Sequence, residues 1–287
     1  MAAMAELALH RSGRFKSGDV EIFYRLFGDK GRLPLVLVHG LSYFSYDWIE
    51  PAVALCKDRQ VAAMDMRGFG DSGWSKDYSV PAQAGDIVSL LDYLDWPKAI
   101  LVGHSMGGRS CTYAAAEEQQ RVAGLALVDF SPENAPAGSK RVAQTVANTP
   151  EVFASVDEAM NYFGADAHSP QGASQRARYE AYLRPVAGGF APKRDDHYRN
   201  QFKKIVETGE RPKLGVDLWE SLRKVACPIL VMRGTRSDLF AAETKQKMAA
   251  ANVRIELVEV DAGHNVAGEN LQGFLAALRP WLEKNGG

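Results

Sequence analysis

A short apolar run, residues 99–102, passes directly into Gly103, His104, Ser105, Met106, Gly107 and Gly108, and a helix-like segment over 109–118 follows. The pattern Gly103-x-Ser105-x-Gly107 is that of a nucleophile elbow, a sharp strand-to-helix turn that holds a serine exposed and strained. A side chain at either glycine would collide with the neighbouring strand or helix as the turn closes. The turn also puts Ser105 at a helix N-terminus, where partial positive charge favours a developing anion. The competing reading is an ordinary glycine-rich turn. What separates the two is whether the rest of the chain supplies a base and an acid.

The other apolar runs are as short. They cover residues 33–38, 60–64, 125–128, 229–232 and 255–260. Runs rich in Val, Ile and Leu suit strands buried on both faces of a parallel sheet. Residues 15–28 read as two strands about a turn at Gly18 and Asp19, with Val20, Ile22 and Tyr24 alternating with more polar neighbours. Helical spacing in 82–94, 244–251 and 271–284 separates the runs. Alternating strands and helices predict a doubly wound α/β fold with helices on both faces of the sheet. The alternation breaks over 131–223, where helices are expected at 151–163, 174–183 and 195–207 and several prolines interrupt. This stretch is read as a helical cap or lid inserted into a core formed by 1–130 and 224–287. A decorative or oligomerisation module is the plainer alternative.

Composition narrows the function classes. A net charge of −1 over 287 residues gives no reason to expect nucleic acid or an anionic membrane as partner. No apolar run approaches the roughly 20 residues of a membrane span. Residues 1–9 lack a leading positive charge and are interrupted by Glu6, which argues against a secretory signal. Cys56, Cys111 and Cys227 are odd in number and widely spaced, which fits buried thiols in a reducing, cytoplasmic setting. No metal-ligand spacing occurs, and neither metal nor cofactor is expected. A homodimer is left open.

In a parallel sheet, ligands sit outside the carboxyl ends of the strands. The polar residues that follow apolar runs are His39, Asp65, Ser105, Asp129, Asp238 and His264. A serine hydroxyl needs a base, and the base needs an orienting acid. His264, on the loop after the last run, is the candidate base. Asp238, just past the fifth run, is the favoured acid, and Asp129, at the end of the fourth, is the alternative. Oxyanion donors would be the backbone N–H groups of Met106 and Leu41. Tyr43, Phe44 and Trp48 could wall a substrate pocket. Arg178, Arg184 and Arg194 are candidate partners for a substrate carboxylate, though solvation at the surface is the simpler expectation. The match of Gly68, Gly70 and Gly73 to G-x-G-x-x-G is set aside as a structural turn, because loop-like residues follow it and Asp71 would oppose a phosphate.

Taken together, His39-Gly40, Asp65-Met66-Arg67-Gly68-Phe69-Gly70-Asp71-Ser72, Gly103 to Gly108, and Gly263-His264 resemble the α/β-hydrolase family over most of the chain. The resemblance implies a mostly parallel eight-stranded sheet, a helical cap after the sixth strand, and a Ser-acid-His order matching Ser105, Asp238 and His264. One departure stands out. The acid commonly lies three residues after the strand-ending glycine, and that position here is Ser237. Serine at the elbow argues against the dehalogenase and epoxide hydrolase branches, which use aspartate there. The expected activity is a carboxylesterase-like serine hydrolase acting on a small or medium ester. Cleavage of a carbon–carbon bond in a ring-fission diketone, or of a lactone, amide or thioester, could use the same triad. A receptor-like member with little turnover is the remote alternative.

Overall fold

The computed structural model of the chain describes residues 10–286, so the reading of residues 1–9 lies outside what it describes. Among the described residues ten strands form: β1 (His10–Ser17), β2 (Val20–Phe27), β3 (Arg32–Val38), β4 (Arg59–Met64), β5 (Ala99–His104), β6 (Val122–Val128), β7 (Leu183–Val186), β8 (Gly189–Pro192), β9 (Ile229–Gly234) and β10 (Ile255–Val260). Eight of them make one sheet in the order β1-β2-β4-β3-β5-β6-β9-β10. The pairs β1–β2 and β2–β4 are antiparallel. All other pairings in that sheet are parallel.

Strands β5 and β9 are buried along their whole length, because helices cover both faces of the sheet. Successive side chains of β3 go to opposite layers, as the pleat requires. Val36 and Val38 join one core with α2 (Val80–Tyr93) and α3 (Met106–Glu117). Leu35 and Leu37 join the other with α1 (Ile49–Leu55) and α11 (Leu271–Asn285). Cys111 is fully buried, as expected, whereas Cys56 and Cys227 are only partly so. Among the described residues, no helix is long and apolar enough to cross a membrane.

The excursion after β6 contains α4 (Pro136–Ala147), α5 (Val156–Tyr162), α6 (Pro170–Tyr182), the two-stranded β7–β8 hairpin and α7 (Asp196–Thr208). The sequence reading ended this insertion at 223, but α8 (Leu218–Lys224) belongs to the core layer. Its Leu218 and Leu222 pack there, and Asp217 caps it by accepting from the N–H groups of Trp219 and Glu220 at 2.9 and 3.0 Å. The remaining helices are α9 (Thr244–Ala251) and α10 (Val266–Glu269).

The glycine-rich stretch after β4 is loop up to Ser79, whose hydroxyl caps α2 through Ala82 N–H. Asp65 fastens this loop from beneath, accepting from the N–H groups of Ser45 and Asp71 at 2.6 and 2.8 Å. Arg67 makes a two-pronged bond to Asp86 at 2.7 and 2.8 Å, with both side chains almost inaccessible. The insertion grips the same loop. Asp195 N–H donates to Gly68 O, Gly70 N–H donates to Lys193 O, both at 2.8 Å, and Lys193 pairs with Asp71.

Breaking a buried ion pair from one side leaves a charge without compensation. Asp86→Ala is expected to destabilise the fold by about 3–5 kcal/mol in urea unfolding. Replacing Arg67 and Asp86 together by apolar residues should cost clearly less. Equal costs for the single and double variants would contradict this view of the pair.

Candidate active site

The register of the sheet decides which residues meet. Val38 lies opposite Gly103, His104 opposite Val128, and Val128 opposite Met232. The chain segments leaving β3, β5, β6 and β9 therefore start from one rim. Ser105 caps α3 with φ 50° and ψ −115°, a conformation that side chains disfavour and that persists only when the surroundings enforce it. The enforcement is close packing. A Cβ on Gly103 would lie 2.7 Å from Gly107 O, and one on Gly107 would lie 2.5 Å from Val38 O. Asp129, directly after β6, is also left-handed at φ 46°.

His264 sits on the loop after β10, and its Nδ1 lies 2.6 Å from Asp129 Oδ2. Asp129 also accepts from Gly234 N–H at 2.9 Å and from Ser237 Oγ at 2.5 Å. Its side chain is 0% exposed and that of His264 is 16% exposed. A buried carboxylate bonded to an imidazole and two further donors is a fixed orienting acid.

Asp238, the acid favoured from sequence, is elsewhere. It forms a two-pronged pair with Arg141 of α4 at 2.6 and 2.8 Å, and its side chain is 39% exposed. The Arg141 guanidinium holds its carboxyl below the usual carboxylate range. The reason is the loop path. Ser237 N–H donates to Gly234 O, closing a tight turn that points the Ser237 hydroxyl at Asp129 and carries Asp238 outward. Ser237 thus occupies the position where the resemblance puts the acid, and its hydroxyl donates to the Asp129 carboxylate.

Two further histidines brace the rim. His39 receives Met66 N–H on Nε2 at 2.9 Å and bonds Gly40 O through Nδ1 at 2.7 Å. This network assigns the neutral ring with the proton on Nδ1. The Nε2 of His104 lies 3.0 Å from His264 O, and its ring centroid lies 4.7 Å from that of His264. Burial pushes both His39 and His104 below the usual imidazole range.

Ser105, Met106, Leu41, Asp129 and His264 line one cavity of about 690 Å³ beneath the insertion. Met106 is the first residue of α3, so its N–H has no acceptor within the helix. Of the aromatics expected to wall the pocket, Tyr43 does, and burial pushes its hydroxyl up to about 12. Phe44 and Trp48 do not line this cavity. Phe44 is buried against Tyr46 and Tyr182, and Trp48 packs on Phe274. For Arg178 the sequence offers a partner for a substrate carboxylate or, more simply, a solvated surface residue. In the structure it lines the cavity, pairs with Asp47 at 2.6 Å and lies over the rings of Tyr43, Phe44, Tyr179 and Tyr182. Arg194 is buried and donates to Ser42 Oγ at 2.8 Å, while Arg184 is exposed beside Trp74. Among the described residues, no cluster of His, Cys, Asp and Glu is placed to hold a metal.

The family described as alpha/beta hydrolase fold matches residues 34–271. The chain belongs to that family. A 3-hydroxybutyrate-oligomer hydrolase of Cupriavidus necator is 34% identical over 84% of this chain and 86% of its own. The esterase YbfF of Escherichia coli is 28% identical over 87% and 92%. The crystal structure of E-2-(acetamidomethylene)succinate hydrolase superposes with a TM-score of 0.83 at 25% identity, covering 96% of this chain and 99% of that one. These relatives are hydrolases, and this alpha/beta hydrolase is one too.

The geometry separates the two acids experimentally. Asp129→Asn should lower kcat/KM by about 10³–10⁴-fold, because the amide disturbs the His264 tautomer. Asp238→Asn should change it less than about tenfold. The reverse order would restore Asp238 as the acid.

The buried histidines set a pH dependence. Unfolded, each binds a proton below about pH 6.5, whereas the folded protein resists protonation. The unfolded state then holds more protons, so stability falls as pH drops below that value. The two together contribute a slope of up to about 2.7 kcal/mol per pH unit in urea unfolding. His104→Asn should remove about half of it. An unchanged slope in that variant would show that His104 is not held neutral.

Proposed function

We propose that this alpha/beta hydrolase cleaves a carboxylic ester through Ser105, His264 and Asp129. The Ser105 hydroxyl gives its proton to His264 Nε2 as the oxygen attacks the ester carbonyl. Asp129 holds the other ring nitrogen and stabilises the imidazolium. The backbone N–H groups of Leu41 and Met106 receive the developing oxyanion, each contributing of order 3 kcal/mol. The proton on Nε2 then passes to the leaving alkoxide, the carbon–oxygen bond breaks, and an acyl-Ser105 ester remains. Water, deprotonated by His264, attacks that ester and releases the acid, returning the proton to Ser105.

The observation that carries this reading is the Asp129–His264 bond of 2.6 Å on the same cavity that the strained Ser105 lines. The ester is supported by the 34% identical relative, named for hydrolysis of 3-hydroxybutyrate oligomers; hydroxy acids join head to tail as esters. The insertion acts as the cap. Phe163, Tyr179 and Phe202 contribute an apolar and aromatic wall opposite the rim, and such walls set which acyl and alcohol groups fit.

Purified protein should hydrolyse p-nitrophenyl butyrate with a burst under pre-steady-state conditions. A fluorophosphonate should label Ser105 and no other residue. Ser105→Ala should fold normally and lose turnover by about 10⁴-fold or more. A variant that keeps most of its turnover, or a label on another residue, would remove the mechanism.

A further inference from the structure

The charges on the cavity wall do not cancel. Asp47 is paired with Arg178 and Arg141 with Asp238, while Asp129 keeps its negative charge beside the imidazole of His264. Glu269 accepts from Gly263 N–H at 2.7 Å and lies 3.6 Å from Arg236. Two cations on the same wall remain, Arg109 and Arg211. Among the described residues neither has an ion pair or a side-chain hydrogen bond. Arg211 is exposed on the segment between α7 and α8, where solvent can serve it. Arg109 is only partly exposed. Its Nε is buried without a partner, and burial pulls it below the usual guanidinium range. A guanidinium nevertheless stays charged in a protein.

Position makes this charge useful. Arg109 follows Ser105 by four residues on α3, and its N–H donates to Ser105 O at 3.2 Å. Residues so spaced share a helix face, about 6 Å apart along the axis. Helical side chains lean toward the N-terminus, here toward Ser105. Tyr198, Gln201 and Phe202 of α7 line the cavity as well, so a ligand group meeting Arg109 would do so between α3 and the insertion. A guanidinium that faces a cavity with free donors matches a carboxylate, which takes two parallel N–H bonds.

We propose that Arg109 is a substrate-recognition residue: the ester taken by this enzyme carries a carboxylate about one helical turn from its scissile carbonyl, and that carboxylate docks on the Arg109 guanidinium. The assignment of the reacting end rests on the reading of Ser105 as nucleophile; the assignment of the anion end does not.

The two parts are tested by separate readouts. Glutarate and its diamide are titrated calorimetrically into the wild-type protein, Arg109→Gln and Arg109→Lys. Wild type should bind glutarate at least about tenfold more tightly than the diamide. Arg109→Gln should lose that preference, and Arg109→Lys should keep part of it. Arg109→Met should unfold at a temperature equal to or above that of wild type, since it removes a partly buried charge that has no ion pair. A merely structural arginine would lower the midpoint instead. Equal binding of glutarate and diamide by wild type, no binding of either, or an undiminished preference in Arg109→Gln would overturn the proposal. If the protein prefers glutarate through Arg109 but fails to hydrolyse p-nitrophenyl butyrate and resists the fluorophosphonate, the carboxylate site stands and the serine mechanism falls.

Discussion

The hydrogen bond from His264 to Asp129 depends on three separate strand ends and could not form without them. Asp129 leaves β6, His264 follows β10, and the backbone of Gly234 at the end of β9 supplies a further donor to the same carboxylate. An imidazole on a loop has two free torsions and wanders unless both its ring and its main chain are held. Here Asp129 holds the ring at Nδ1, and His104 holds the carbonyl of His264. The loop is fixed at its other end by Glu269, which accepts from Gly263 N–H and Asn265 N–H.

This precision has an energetic source in the sheet. Ser42, Ser105 and Asp129 all adopt left-handed backbone angles without being glycine, each costing of order 1–3 kcal/mol. A loosely packed loop would relax such residues. The parallel strands β3, β5, β6 and β9 cannot yield, because their side chains are packed on both faces and their termini lie in register. Burial in the sheet thus offsets strain at its rim. The same rigidity explains why the glycine-rich turn after β4 is structural. Asp65 and the Arg67–Asp86 pair tie it down, and the insertion is fastened to it by Lys193 and Asp195.

Much of this was legible in the amino-acid order. Short apolar runs marked six strands of the large sheet well enough to place Ser105 and His264, and the two-strand reading of 15–28 matched β1 and β2. The elbow was legible because its glycines answer to local sterics. The acid was not, because spacing along the chain does not show which way a loop turns. Ser237 in the expected place was the available signal. It pointed to a displaced carboxylate, and Asp129 was the one already standing at a strand end beside β5. The β7–β8 hairpin escaped because its strands are four residues each and carry Pro185 and Pro192. The cavity position of Arg178 escaped because its partner, Asp47, lies 131 residues away. Arg109 was in view throughout as part of the elbow helix, but an unpaired charge is visible only when every neighbour is known.

In the proposed mechanism the chemistry is fixed by the sheet, and residues of the insertion line the cavity above it. The claim beneath all of this is that Asp129 holds the proton-bearing nitrogen of His264. Proton NMR reads that contact directly. The Nδ1 proton of a histidine bonded to a buried carboxylate resonates far downfield and exchanges slowly. The wild-type protein labelled with ¹⁵N in its histidines should show one such signal, correlated with His264 Nδ1. It should vanish in Asp129→Asn and persist in Asp238→Asn. A signal that survives loss of the Asp129 carboxylate, or one that disappears with Asp238, would contradict the account.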